Sequence, residues 1–317
     1  MKNGFAVLFD TNSYRQLVNN KSNAQVLDEV RRIRTLEAAK NIKAYGVAIV
    51  GMEMLSHLVE DENSFNYKDC LNGVVAMANH CFDDGSFEPR IIPHPYLHIC
   101  NYYFGQVPVS VENRVKALGG VINDFKKNAE AAVMFHSSIT FENINKYLEK
   151  EELLFSTQII QLVDGAKKEI IKAFPNIQKK QLREKHLKFI EEKFEPFIAM
   201  AIISAAAQTL NVPLSNGECM QKAFSMNLEF PLSVGFYRWI SDKIVRDNID
   251  MESKTSKGSR WNWTWDSHVA FLISQNTLED REIILVTSDG DIINMLNDFG
   301  YSNRVLTIQQ YLTEIAQ

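Results

Sequence analysis

The sequence lacks most of the features that mark a secreted or membrane-bound chain. Its 317 residues hold four cysteines, Cys70, Cys81, Cys100 and Cys219, with no CxxC pair among them. Reduced thiols are therefore expected rather than a disulfide frame. No stretch reaches the ~18 consecutive apolar residues of a membrane helix. No charged-then-apolar leader is expected, because the first apolar run is short and ends in an acid. These absences read as a cytoplasmic protein with no membrane partner. Positive charge is not in excess either. Lys and Arg number 34 against 39 Asp and Glu, a formal net charge of −5, so contact with nucleic acid would rest on local patches. The middle of the chain shows no internal repeat or low-complexity tract. What is abundant is core material. With 45% apolar and 23% charged residues, the chain reads as globular, holding one large domain or two of ordinary size.

Phe5-Ala6-Val7-Leu8-Phe9 runs straight into Asp10-Thr11-Asn12. Five successive apolar residues predict a central strand buried on both faces, as in a parallel sheet. Asp10 then stands at the carboxyl end of that strand, where open α/β sheets place their ligands. An acid there is costly to desolvate unless a cation or hydrogen-bond donors meet it. Ser13 can cap a short helix reaching Val18, and a second helix is expected from Asn23 to about Ala39 on the spacing of Val26, Val30, Ile33 and Leu36. Gly46 to Val50 reads as the next strand and Met52 to Leu58 as a helix, with Glu53 in its first turn. Near the other end, Glu282 to Thr287 is a strand that runs into Ser288-Asp289-Gly290-Asp291 and a helix from Ile292 to Asn297. Asp266 is expected to open a helix containing Val269 to Ile273. A last strand, Val305 to Ile308, precedes a helix from Gln309 to Ile315. Strands alternating with helices at both ends predict an α/β fold with a doubly wound parallel sheet.

The acids Asp10, Glu53, Asp266 and Asp289, in this order and each at an element junction, resemble the PIN-domain ribonucleases. The closing strand and helix, Val305 to Ile315, also match the way that family ends. The resemblance covers roughly the first 60–80 and the last 55–60 residues. It departs from the family in spacing, since more than two hundred residues separate Glu53 from Asp266. The expected organisation is a PIN-like core in residues 1–80 and 252–317, interrupted by a mainly helical insertion at 81–251. The resemblance implies a metal-dependent endoribonuclease acting on single-stranded or loop RNA. It further implies a toxin or defence-type role, with an inhibitory or triggering protein partner. The insertion would select RNA, form a homo-oligomer or receive the inhibitor.

Elementary chemistry points the same way. Carboxylates gathered at one sheet edge cannot all ionise without a cation. Mg²⁺ and Mn²⁺ take oxygen ligands, keep several waters and suit phosphate substrates. Asp10 and Asp289 are the expected main ligands of one or two ions. Glu53 and Asp266 would complete the set, directly or through water, and one of them would help take the attacking water's proton. Thr11 or Asn12 would steady Asp10, and Ser288 would do the same near Asp289. Asp291 would hold a second ion or merely start a helix. Each acid also has a plainer reading: Asp10 as a turn residue, Asp266 as an N-cap, Glu53 as a first-turn acid and Ser288 to Asp291 as an ordinary turn.

The middle of the chain is different material. Cys81 to Pro108 reads as loop, with Asp83-Asp84-Gly85 and Pro93-His94-Pro95. His80, His94 and His98 beside Cys81 and Cys100 invite zinc, but their spacings match no standard finger, so core histidines and buried thiols are expected. Amphipathic helices follow from Val111 to Phe174. A charged helix from Lys179 to about Glu195 carries Lys180, Arg183 and Lys185 on a face read as solvated. An apolar helix covers Phe197 to Ala207, and another lies within Leu232 to Val245. Lys254 to Trp265 reads as a flexible cationic loop with tryptophan at every second position. Lys254, Lys257 and Arg260 could hold phosphates while Trp261 or Trp263 stacks on an unpaired base, or the tryptophans could anchor the loop on the core, Trp265 among them. Two rival readings stay open, a structure-specific flap-type DNA nuclease and a non-catalytic PIN-like interaction module.

Overall fold

The computed structural model describes residues 4–82, 89–274 and 277–317. The chain divides into two compact units, one built from Met1–Leu97, Val109–Leu148 and Gln275–Gln317, the other from His98–Pro108 and Glu149–Ser274. These boundaries differ from the expected ones. Residues 109–148 join the first unit, and residues 252–274 fall in the second. Asp83-Asp84-Gly85 lies outside the described residues.

The first unit holds the sheet. Strands β1 (Phe5–Phe9), β2 (Ile42–Val47), β3 (Ile91–Ile92), β4 (Thr277–Leu278), β5 (Arg281–Val286) and β6 (Val305–Leu306) are arranged with β1 at the centre, between β2 and β5. Both neighbours run parallel to β1, with Val7 opposite Ala44 on one side and Ile284 on the other. β3 and β6 extend the parallel sheet at its two edges, and β4 is a short antiparallel partner of β5. Ala6, Val7, Leu8 and Phe9 are at most 1% exposed, which is why this strand carries an unbroken apolar run rather than an alternating one.

Helices α1 (Thr11–Val18), α2 (Asn23–Ala39), α3 (Ala48–Ser56) and α4 (Phe65–His80) follow the first strands. α2 opens on a capping box, with Gln25 N bonded to Ser22 Oγ and Ser22 N to Gln25 Oε1. β2 ends at Val47 and α3 starts at Ala48, three residues earlier than the strand expected to reach Val50. A short run that is apolar all round does not reveal its period, and Ile49 and Val50 are buried as helix residues here. Close packing explains the glycine that precedes the junction. A Cβ on Gly46 would lie 2.5 Å from Met77 Cε and 2.7 Å from Ile91 Cδ1.

Between these elements runs a buried polar chain. Glu37 on α2, 3% exposed, accepts hydrogen bonds from Tyr311 Oη at 2.5 Å and pairs with His80 Nε2 at 2.8 Å. The other imidazole nitrogen of His80 meets Tyr14 Oη at 3.2 Å, and that hydroxyl also contacts Cys81 Sγ at 3.3 Å. Phe9 packs edge-on against both His80 and Tyr311. Histidine and thiol here serve the core. All four cysteines are buried, and burial pushes Cys70 and Cys81 up to about 12 and Cys100 up to about 11. Native protein at neutral pH is expected to give no rapid reaction with Ellman's reagent and four equivalents once denatured. Fast labelling of one thiol in the native protein would contradict the packing.

The second unit is helical. Lys179–Leu210, Asn216–Glu229, Pro231–Asp247 and Lys257–Ser274 pack on one another. The expected break after Glu195 does not occur, because the first of these helices runs straight through Pro196. Its buried residues Ile190, Phe194, Ile198 and Ile203 lie on both sides of the proline, so burial of one continuous stripe outweighs the ~3 kcal/mol cost of proline within a helix. The region 81–108, expected to be loop, contains β3 and the helix Pro95–Phe104, with proline at the first helical position. Among the described residues no helix is long and apolar enough to cross a membrane. Taken together the chain is α/β, with a sheet that is parallel apart from β4, and the remainder is mostly helix.

Candidate active site

Asp10 sits where β1 ends and α1 begins. Its backbone is extended (φ −78°, ψ 175°), and its side chain caps α1 by accepting from Ser13 N at 2.6 Å. The cap is therefore Asp10 rather than Ser13. Ser13 instead turns its hydroxyl to donate to Val286 O at 2.8 Å, tying α1 to β5. The second oxygen of Asp10 accepts from Thr287 Oγ1 at 2.5 Å. Thr287 Oγ1 in turn accepts from Asp289 N at 3.0 Å, so the direction of its own hydrogen is fixed toward Asp10. This two-bond chain joins the carboxyl ends of β1 and β5.

Asp289 caps the next helix, Gly290–Asp298, with Oδ1 accepting from Asp291 N at 2.8 Å and Ile292 N at 3.2 Å. Both acids thus serve as N-caps, where the plainer readings had Asp10 as a turn residue and Ser288 to Asp291 as an ordinary turn. Capping does not exhaust a carboxylate, which offers about four lone-pair sites. Asp10 is 8% exposed, and burial raises its pKa. The hydrogen bonds from Ser13 and Thr287 oppose that rise, while the negative charge of Asp289 adds to it. Glu53 is half-buried on α3, in the second helical turn rather than the first, and accepts a hydrogen bond from Thr11 Oγ1. Thr11 adjoins Asp10 in the chain, so this bond brings Glu53 to the same turn. It holds Glu53 rather than Asp10, and Asn12 is exposed. Ser288 is exposed too, accepting from Gln16 Nε2 at 2.8 Å. Asp291 is a half-buried acid in the first turn of Gly290–Asp298.

The first unit therefore brings Asp10, Asp289 and Glu53 to the turns around the β1 end. Among the described residues, no three His, Cys, Asp or Glu side chains converge closely enough to form a ready ion cage. A pair of carboxylates does suit Mg²⁺, which binds through one or two carboxylates plus waters and substrate phosphate rather than in an all-protein cage. Asp266 belongs to the second unit. It lies inside the helix Lys257–Ser274 instead of opening it, and is 8% exposed.

The stretch before Asp266 is also helical rather than a flexible loop. Lys254–Ser256 is a 3₁₀ turn, and the α-helix starts at Lys257. In the helix Trp261 and Trp265, four apart, meet edge to face at 5.2 Å, while Trp263 is buried at 1% exposure. Trp263 is thus core and offers no face to a base. Arg260 is committed as well. It pairs with Glu152 Oε1 at 2.9 Å and donates to the carbonyls of Met251 and Ser253. Lys254 and Lys257 remain exposed. Sequence reasoning passed over Thr287 because it reads as the last strand residue. A hydroxyl directly before Ser288-Asp289 at a strand end is the signal that could have found it.

Compared with protein-family models, curated proteins and solved structures, the chain matches none of them.

Proposed function

We propose that the first unit is a PIN-like, divalent-metal-dependent endoribonuclease, with Asp10 and Asp289 as metal ligands and Glu53 as the acid that assists the attacking water. The observation that carries this reading is Asp10, a buried carboxylate at the end of the central strand whose ionisation Asp289 opposes. A cation beside Asp10 would offset the cost of burying its charge. A bound Mg²⁺ or Mn²⁺ would polarise the phosphodiester and lower the pKa of a water. The chain supplies the rest. Ser13 N and Thr287 Oγ1 hold the Asp10 carboxylate, backbone amides in the first turn of the Gly290–Asp298 helix hold Asp289, and Thr11 aims Glu53 to accept the water's proton. Lys254 and Lys257 stay candidates for phosphate contact, and the second unit for RNA selection, self-association or an inhibitory partner.

The test is incubation of purified protein with total RNA, tRNA and single-stranded DNA in EDTA, Mg²⁺ or Mn²⁺, beside an Asp10→Asn, Asp289→Asn control. Metal-dependent RNA cutting absent from the control supports the reading. Cutting of DNA alone favours a flap-type nuclease, and a folded protein that cuts nothing sinks the catalytic reading in favour of an interaction module. Thr11→Val removes the hydroxyl that positions Glu53 and is expected to lower kcat about 10- to 100-fold with KM little changed. An unaltered kcat would remove Glu53 from the mechanism. The first unit supplies its acids without Asp266, so Asp266→Asn should keep cleavage within about tenfold of wild type. A loss as deep as that of the control would add Asp266 to the ligands.

A further inference from the structure

In the first unit a cleft of ≈ 240 Å³ opens between the turn after α1 and the start of α4. Phe65, Lys68, Asp69 and Asn72 line it from α4, and Asn20 and Lys21 from the turn. Three properties set it apart from an ordinary surface groove. Phe65 is 60% exposed, although it is a large aromatic side chain. Asp69 is only 7% exposed, yet its carboxylate receives no hydrogen bond from any described residue. Arg15 acts on Asp69 only from beyond hydrogen-bond distance, since its guanidinium donates to Asn66 Oδ1 at 2.8 Å. Lys68 is exposed and enters no ion pair with a described residue, while Lys21 donates to Leu17 O and keeps further N–H groups to spare.

A mostly enclosed carboxylate whose oxygens meet only the solvent of the cleft favours a ligand that brings donors. A cationic ligand is disfavoured by Lys21, Lys68 and Arg15, so the donors must sit on a neutral group. Two adjacent N–H donors on a flat aromatic ring satisfy both carboxylate oxygens at once. Among the common bases guanine alone has that edge, in N1–H and the N2 amine. Adenine and cytosine present one amine, and uracil flanks its N–H with carbonyls that a carboxylate repels. The cleft is smaller than the ~300–1,000 Å³ of pockets for drug-sized ligands. It suits one ring system with sugar and phosphate left outside.

We propose that this cleft binds a guanine nucleotide, with the base stacked on Phe65, its N1–H and N2 amine donated to Asp69, and its phosphate held by Lys68 and Lys21. That the guanine belongs to a single-stranded RNA substrate rests on the ribonuclease reading above. The geometry suits it. Asp10 caps α1 and Lys21 follows its end. At ~1.5 Å per helical residue the cleft is on the order of 12–17 Å from Asp10, within reach of a few nucleotides at ~3.4 Å each.

The experiment titrates the full chain in EDTA with GMP, IMP and AMP, and with short unstructured RNAs bearing guanine or adenine. Wild type is compared with Asp69→Asn and Phe65→Ala, and RNA cleavage in Mg²⁺ is scored in parallel. Wild type is expected to favour GMP over AMP about tenfold or more and to lose much of that with IMP, which lacks the N2 amine. Asp69→Asn should erase the preference, and Phe65→Ala should weaken every ligand about 5- to 100-fold. No preference for guanine in wild type, or an unchanged preference in Asp69→Asn, overturns the proposal whether or not RNA is cut. Guanine preference for the mononucleotides but not the RNAs supports the cleft's chemistry and assigns it to a free nucleotide. Guanine preference without RNA cleavage leaves the cleft standing and counts against the ribonuclease reading alone.

Discussion

Replacing Asp10 and Asp289 together by asparagine is expected to lower RNA cleavage on the order of 1,000-fold or more, the several kcal/mol that a metal supplies to a phosphoryl transition state. The same change should stabilise the metal-free protein at neutral and higher pH. Burial and the nearby Asp289 charge raise the Asp10 pKa in the fold. The stability this group contributes is thus fully present below the ordinary carboxylate range and lost as pH rises through the raised value. Asparagine keeps an oxygen for Ser13 N, so the cap survives, and removes the charge that the fold disfavours. In EDTA the variant's Tm should exceed that of wild type at pH 8, and the two should converge near pH 3. A variant less stable than wild type at pH 8 would mean that the hydrogen bonds from Ser13 and Thr287 outweigh desolvation.

Glu37→Ala is expected to be the most damaging single change in the first unit. Glu37 is almost wholly enclosed and receives Tyr311 Oη while paired with His80 Nε2. Alanine leaves the tyrosine hydroxyl and the imidazole buried without their shared acceptor. Each buried polar group left unsatisfied costs about 1–3 kcal/mol, so a Tm drop on the order of 10 °C is expected. Tyr311→Phe removes one donor and leaves Glu37 paired with His80, so it should cost less, about 1–2 kcal/mol. Thermal melts of the two variants separate the network from simple packing. Equal losses would mean that the tyrosine hydroxyl carries most of the energy.

The sheet was legible because its signals are local. Phe5 to Phe9 is apolar without alternation, as a central parallel strand buried on both faces requires. The positions of Asp10, directly after β1, and of Asp289, in the turn after β5, were legible because each acid lies between a strand and the helix that follows it. Where tertiary packing decides, the pattern misled. Ala48 to Val50 is as apolar as a strand but is buried as helix. Trp261, Trp263 and Trp265, expected on a flexible loop, lie on a helix, with Trp263 fully in the core. Arg260 looked free for phosphate because its partner, Glu152, is more than a hundred residues away in sequence. The buried Glu37, His80 and Tyr311 are likewise far apart along the chain, and no spacing rule connects them. Thr287 stands out only through its hydrogen bonds to Asp10 and Asp289, and Asp69 only through its burial without one among the described residues, neither of which a sequence displays.

The most direct test of the acid edge is a melt of wild type and of the Asp10→Asn, Asp289→Asn variant across rising Mn²⁺, without RNA. An ion held by these carboxylates binds the native state alone, so wild type should gain about 2.7 kcal/mol of stability at one hundred times Kd. The variant should gain almost nothing. No rise in the Tm of wild type, or an equal rise in both proteins, would contradict a divalent-ion site at the end of β1.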